Sequence, residues 1–243
     1  MRRRTTKLFV DSRFAAGGTS GSSILYEIPD GIELGPRAKA WVSEFTCVAA
    51  WNTIDESNRY QTVVELGTPR VLAIPTGAHD LESLRAALEE QLGTGYSVQR
   101  VSSGTGGSTF RQFRVDSLTG NPFRLPESPL SKIVRFPTLT DATSHVSGFV
   151  DLRRCHNIFV HSPSFGNYNT VGPRGVRTCL CKIPVDTGYG GLVRWQTSGS
   201  EHDYIECGVR SMRMLRLELR DSDGTLLDLA GTSFSMTLLF SDE

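Results

Sequence analysis

Apolar residues recur along this chain at two spacings, and each spacing predicts a different element. Short runs rich in β-branched and aromatic residues, bounded by Gly, Pro, Asn or Asp, predict strands at 7–10, 24–28, 38–48, 61–66 and 70–74. A second group follows at 158–160, 176–183, 191–196, 204–207, 212–220 and 233–240. In the 212–220 run, alternation puts Met212, Met214 and Arg216 on one face and Arg213, Leu215, Leu217 and Leu219 on the other. Arg213 breaks that pattern. The cluster Asp221-Ser222-Asp223-Gly224 after it predicts a tight turn, because Asp caps its own backbone and Gly accepts positive φ. The 3.6-residue period governs 80–92, where Leu81, Leu84, Leu88 and Leu92 share one helical face and Gly93 supplies the stop. A shorter helix is expected with Ser128 as N-cap, Pro129 in the first turn, and Leu130, Ile133 and Val134 inward, ending before Pro137. Between the helices, strands at 96–101 and 110–115 flank a Gly/Ser loop. The pattern therefore predicts an all-β chain with a small α/β insert, helix-hairpin-helix, over about 76–136.

Length and composition sharpen this picture. A chain of 243 residues can bury about 70% of its unfolded surface, so it needs neither metal nor disulfide to hold a core. Its 24 Gly and 11 Pro favour many turns between short strands, as in a sandwich or barrel. No apolar run reaches the roughly 18 residues of a membrane helix, so no membrane-spanning segment is expected. The opening Met1-Arg2-Arg3-Arg4 lacks a following apolar core and predicts no signal peptide. Residues 1–23 are read as a basic arm (Arg2, Arg3, Arg4, Lys7) and a flexible small-residue loop, and 24–243 as one domain carrying the insert. Acidic and basic residues balance at 26 each, which removes any global field for a polyanion and leaves only local contacts. The arm is one such place, for nucleic acid or a protein partner. The basic residues are 22 Arg and 4 Lys, and Arg is the side chain suited to bidentate carboxylate or phosphate contacts.

Candidate chemistry is sparse. The five cysteines, Cys47, Cys155, Cys179, Cys181 and Cys207, form no C-x-x-C pair and read as buried thiols. Cys179 and Cys181 are two apart and are expected on one strand face. No phosphate-binding glycine loop, nucleophile elbow or His-x-His metal pair is present, and His156 and His161 are expected on opposite faces. The Asp221–Gly224 cluster lacks the later ligands of a calcium loop. These absences predict a non-enzymatic protein with no catalytic residue, cofactor or metal. Trp41, Trp51 and Trp195 read either as core or as stacking platforms. Trp51, Tyr168, Tyr189 and Trp195 are the aromatic candidates for a loop-borne binding surface.

The order of segments resembles a known family. Leu8-Phe9-Val10-Asp11-Ser12-Arg13 before a Gly/Ser loop, the Leu-periodic helix, and Phe110-Arg111-Gln112-Phe113-Arg114-Val115 appear in sequence. Ser131-Lys132-Ile133-Val134-Arg135-Phe136 follows, then Asn157-Ile158-Phe159-Val160-His161, Cys181-Lys182-Ile183-Pro184-Val185 and Leu217-Glu218-Leu219-Arg220-Asp221. Ser233-Phe234-Ser235-Met236-Thr237-Leu238 closes the set. Together they resemble the penton-type (minor capsid) proteins of polinton-like viruses and virophages. Where that family ends its short helix in Gly-Phe, this chain has Arg135-Phe136. The resemblance implies a single jelly-roll β-sandwich of two antiparallel sheets that forms homopentamers at icosahedral fivefold vertices beside a double jelly-roll major capsid protein. It implies a virion location after synthesis in the host cell, with the arm directed to the genome or to internal capsid components. Two other readings compete: a β-sandwich module binding glycans or a receptor through the aromatic candidates, and a cupin-type enzyme.

Overall fold

The structure, a computed structural model, describes residues 5–102, 109–137, 140–166, 169–198 and 203–241. In chain order it begins with β1 (Thr5–Asp11), β2 (Gly17–Ser20), β3 (Ser23–Glu33) and β4 (Lys39–Val48). Next come β5 (Tyr60–Glu65), β6 (Thr68–Ala73), α1 (Leu81–Leu92), β7 (Tyr96–Ser102), β8 (Thr109–Ser117), β9 (Phe123–Arg124), α2 (Ser131–Val134) and β10 (Ser144–Val146). The chain closes with β11 (Asn157–His161), β12 (Cys179–Pro184), β13 (Leu192–Gln196), β14 (Ile205–Glu206), β15 (Ser211–Arg220) and β16 (Phe234–Ser241). These elements fall into two compact units, residues 1–51 with 155–243, and residues 52–154. Among the described residues no helix is long and apolar enough to cross a membrane.

The first unit is a sandwich of two antiparallel sheets. One runs β1-β16-β4-β13, with β14 also on β4, and the other runs β12-β11-β15-β3-β2. When β13 and β14 are taken as one interrupted strand and the short β2 is set aside, eight strands remain. Numbered in chain order they read 1-8-3-6 and 5-4-7-2. That is the jelly-roll order, two Greek keys closed face to face. Alternation aims one face of each sheet inward: Val10 from β1, Phe234, Met236, Leu238 and Phe240 from β16, and Leu215, Leu217 and Leu219 from β15.

Bulges repair the places where alternation slips. In β4 the inward residues are Ala40 and Val42, then Phe45 and Cys47, a one-residue phase change. The register against β16 shifts there, so Ser43 is the extra residue and both halves still face the core. In the β15–β3 pair the register shifts between Met212 and Met214, where Arg213 alone stands against residues 28–31 of β3, and the inward phase of β15 changes at that point. Met212 is buried with Leu215, while Met214 is turned out to solvent. The break in alternation read at Arg213 is this slip, and it corrects the expected grouping of Met212 with Met214 on one face.

The second unit holds two three-stranded sheets, β10-β8-β7 and β6-β5-β9, with α1 against them. It has its own core, including Val63, Leu72, Leu84, Leu88, Phe113 and Phe123. The insert is therefore 52–154 and not 76–136. The β5–β6 hairpin pairs through Val64 and Glu65 with β9 and buries its apolar side in the insert's core. Residues 1–23 also need correction. β1 is a full edge strand registered on β16 from Thr5 to Asp11, and β2 pairs with β3, so 15–23 is a hairpin and not a flexible loop. Residues 1–4 lie outside the described residues.

Helix ends follow their chemistry. Asp80 caps α1 in a reciprocal box with Ser83, and Gly93 ends it at φ 82°. The second helix differs from expectation. It starts at Ser131 with Leu130 as its N-cap, because the Ser128 hydroxyl is already engaged, accepting the Thr62 N–H at 3.0 Å and donating to the Pro126 carbonyl at 3.0 Å.

Candidate functional site

Three cysteines and one histidine of the sandwich are shifted by burial toward their neutral forms. Burial pushes the Cys47 thiol up to about 12 and the Cys179 thiol up to about 11, and raises Cys181 as well. All five cysteines are free thiols, and the raised values keep Cys47, Cys179 and Cys181 protonated, a form that is a poor nucleophile. A bulge opposite Val160 and His161 breaks the expected Cys179/Cys181 pairing of faces: Cys179 is buried and Cys181 half-buried. His161 is buried and its Nδ1 lies 3.2 Å from the Thr178 hydroxyl. Burial, and then the Arg220 charge, hold its imidazole below the ordinary value, against an opposing pull from Glu218. Among the described residues no group of three His, Cys, Asp or Glu side chains is placed to hold a metal ion.

The surface is more informative. On β1 the inward Leu8 and Val10 leave Thr5, Lys7 and Phe9 facing out, and Phe9 is 69% exposed. Across the same outer face Phe9 stands opposite Thr237, which stands opposite Glu44, and the Glu44 carboxylate accepts from Gln196 at 3.2 Å. A shallow groove of about 330 Å³ runs here, lined by Phe9, Asp11, Glu44, Thr46 and Ser235 among others. Phe14, just past β1, is 72% exposed. An edge strand carrying a bare phenylalanine, with a second one three residues beyond its end, is a surface of the kind that other proteins cover. The 52–154 unit has exposed apolar positions of its own, Leu66 at the β5–β6 turn and Val71 on β6.

The residues singled out from sequence do not meet in one place. Lys7 sits on the outer face of β1, opposite Leu239. Arg2, Arg3, Arg4 and Tyr168 lie outside the described residues. Trp51 is buried in the sandwich core, and Trp195 packs against that core from β13 opposite Phe45. Trp51 therefore takes the core reading, and Trp195 is half-buried, since alternation on β13 turns it to the same side as the buried Val193. Tyr189 alone of the described candidates is a largely exposed ring, in the β12–β13 loop. Sequence reasoning missed Phe9 as a surface residue, although the Leu8-Phe9-Val10 run, broken at Asp11, admits only one phase with both flanking residues inward.

No family model and no curated relative matches the sequence. Solved structures do match. The crystal structure of the mavirus penton protein superposes with a TM-score of 0.58 at 11% identity, over 98% of this chain and 99% of that one. The two share one fold. The likeness spans the jelly roll and the 52–154 unit alike, so the insert is part of what the mavirus penton protein and this chain have in common. VP17, a capsid protein of bacteriophage P23-77, aligns over 99% of this chain and 98% of its own at 10% identity, but with a TM-score of 0.17 it does not bear on the fold.

Proposed function

We propose that this chain is a structural viral capsid protein, a penton-type minor capsid subunit that forms homopentamers at the fivefold vertices of an icosahedral shell. Its partners are four further copies of itself and a double jelly-roll major capsid protein, and its location is the virion, after synthesis in the host cell. The observation that carries this reading is the end-to-end correspondence, insert included, with a protein known as a penton. A closed ring needs a heterologous contact, in which each copy offers two different patches to its neighbours. The bare edge of β1 with Phe9 and Phe14 is suited to one side of such a contact. In this reading the chain works by packing and not by catalysis, and Arg2, Arg3 and Arg4, together with Lys7 on the outer face of β1, contact neighbouring capsid chains or the genome. With Trp51 in the core and Trp195 packed against it, Tyr189 is the one exposed ring among the described candidates for a glycan-binding module.

The test is the mass of the purified protein by analytical ultracentrifugation, with electron microscopy alone and with its major capsid partner. The expected species is five times the 26.7 kDa subunit, seen as fivefold rings. A monomer at high micromolar concentration that also forms no ring with the partner overturns the reading. Phe9→Asp is expected to shift the assembly toward monomer without changing the far-ultraviolet spectrum.

A further inference from the structure

A second concavity in the sandwich has a different character from the apolar edge. It lies where the β3–β4 connection passes the β14–β15 connection, with a volume of about 510 Å³, in the range of ligand clefts. Pro36, Arg37 and Lys39 line one side, and Tyr204, Glu206 and Arg210 the other. Short backbone bonds fix both sides: the Cys207 N–H donates to the Ala38 carbonyl at 2.8 Å, and the Leu34 N–H to the Arg210 carbonyl at 2.8 Å. The cleft is thus built on the β4 ladder and does not depend on a loose loop.

Its charges are unequal. Lys39 stands opposite Glu206 in the β4–β14 register and holds its ammonium 4.2 Å from the centre of the Tyr204 ring. That leaves Arg37 and Arg210, both exposed and neither in an ion pair among the described residues. Two guanidinium groups free to bind, beside an aromatic ring and one carboxylate, form a site with a positive balance. Guanidinium favours bidentate carboxylate or phosphate.

Glu206 decides between those anions. A nucleic acid strand repeats its phosphate charge uniformly and would bring that charge against the carboxylate. An extended peptide instead alternates side chains with main-chain N–H groups, so acidic side chains can meet Arg37 and Arg210 while an amide donates to Glu206. We propose that this cleft binds an acidic, extended peptide segment of a protein partner. The site lies within the sandwich of one copy and does not rest on ring formation.

The experiment uses the full chain in whatever assembly it forms, with fluorescence anisotropy of a labelled eight-residue peptide alternating Glu and Ser. The expected result is saturable binding that weakens with salt, that falls about tenfold or more when Gln replaces Glu in the peptide, and that falls similarly in Arg37→Gln/Arg210→Gln. Arg194→Gln, an exposed cation on β13 away from the cleft, is expected to leave binding unchanged. Equal binding of the Gln peptide, or parental affinity in the double variant, overturns the proposal. An oligothymidylate that binds where the acidic peptide does not also overturns it, and makes the cleft a nucleic-acid contact. Ultracentrifugation of the same samples separates the outcomes, since lost binding in intact rings removes the cleft alone.

Discussion

At the scale of single residues, the clearest conflict between sequence and backbone is Arg135. It ends α2 at φ 56° and ψ 53°, the left-handed conformation that side chains with a Cβ resist. Its N–H donates to the Ser131 carbonyl at 2.9 Å and its own carbonyl accepts from Gly148 at 2.8 Å, so neighbouring structure holds it there. Glycine adopts this conformation without the Cβ penalty. Arg135→Gly is expected to raise unfolding free energy by about 0.5–1 kcal/mol, relief of strain outweighing the entropy cost of glycine. Urea denaturation checks this, and a clear loss of stability would show that the Arg135 side chain contributes more than its backbone costs.

His161 gives a pH dependence at the same scale. Its folded-state value lies below the ordinary 6.5, chiefly through burial, and Arg220, Glu218 and Cys179 surround it from the adjacent strands. Above 6.5 the ring is neutral folded and unfolded, so it has no effect on stability. As pH falls below 6.5 the unfolded chain takes up the proton first, and stability drops until the folded value is reached. Thermal unfolding between pH 7 and pH 5 should therefore show a decline that His161→Gln reduces. An unchanged slope in the variant would assign the decline to other groups.

At the scale of elements, local signals with a stereochemical cause are the ones that hold. The Gly93 stop was legible in sequence and ends α1, and at the other end of that helix Asp80 is the cap, accepting the Ser83 N–H at 2.7 Å. Asp80→Ala is expected to cost about 1 kcal/mol, measured by chemical denaturation, and Asp80→Asn much less. The Asp221–Gly224 turn holds for the same kind of reason, with the Asp221 carboxylate accepting the N–H groups of Asp223 and Thr225, both at 2.9 Å. Strand positions were legible because alternation and burial have the same cause. Bulges were not, because a phase slip such as Ser43 or Arg213 reads in sequence as noise until the partner strand is known. Whether Trp51 and Trp195 sit in the core or on a rim was equally open, since a tryptophan reads the same in sequence at either place. Of the candidate surfaces, β1 was legible as a strand but not as an edge, because edge position depends on β16, more than two hundred residues away. The cleft at Arg37 and Arg210 left no local signal, since it joins two connections that are distant in sequence.

At the scale of the whole molecule, the division into two cores has a thermodynamic consequence. The sandwich closes around residues such as Leu217 and Phe234, and the 52–154 unit around others such as Leu88 and Phe113, with no residue common to both clusters. A unit of about 100 residues is large enough to fold on its own core. Unfolding of the full chain is therefore expected in two steps, each reporting one core. Leu88→Ala, which empties a fully buried site on α1, should lower one transition by about 2–5 kcal/mol and leave the other in place, and Leu217→Ala should do the reverse. Differential scanning calorimetry distinguishes the outcomes. A single transition moved by both substitutions would mean that the units stabilise each other too strongly to melt apart. Two independent transitions would mean that the sandwich can be engineered at its edge, and the ring tested with Phe9→Asp, without disturbing the insert. The order of melting would then identify which unit must stay folded for the assembly to persist, read directly by ultracentrifugation at a temperature between the two steps.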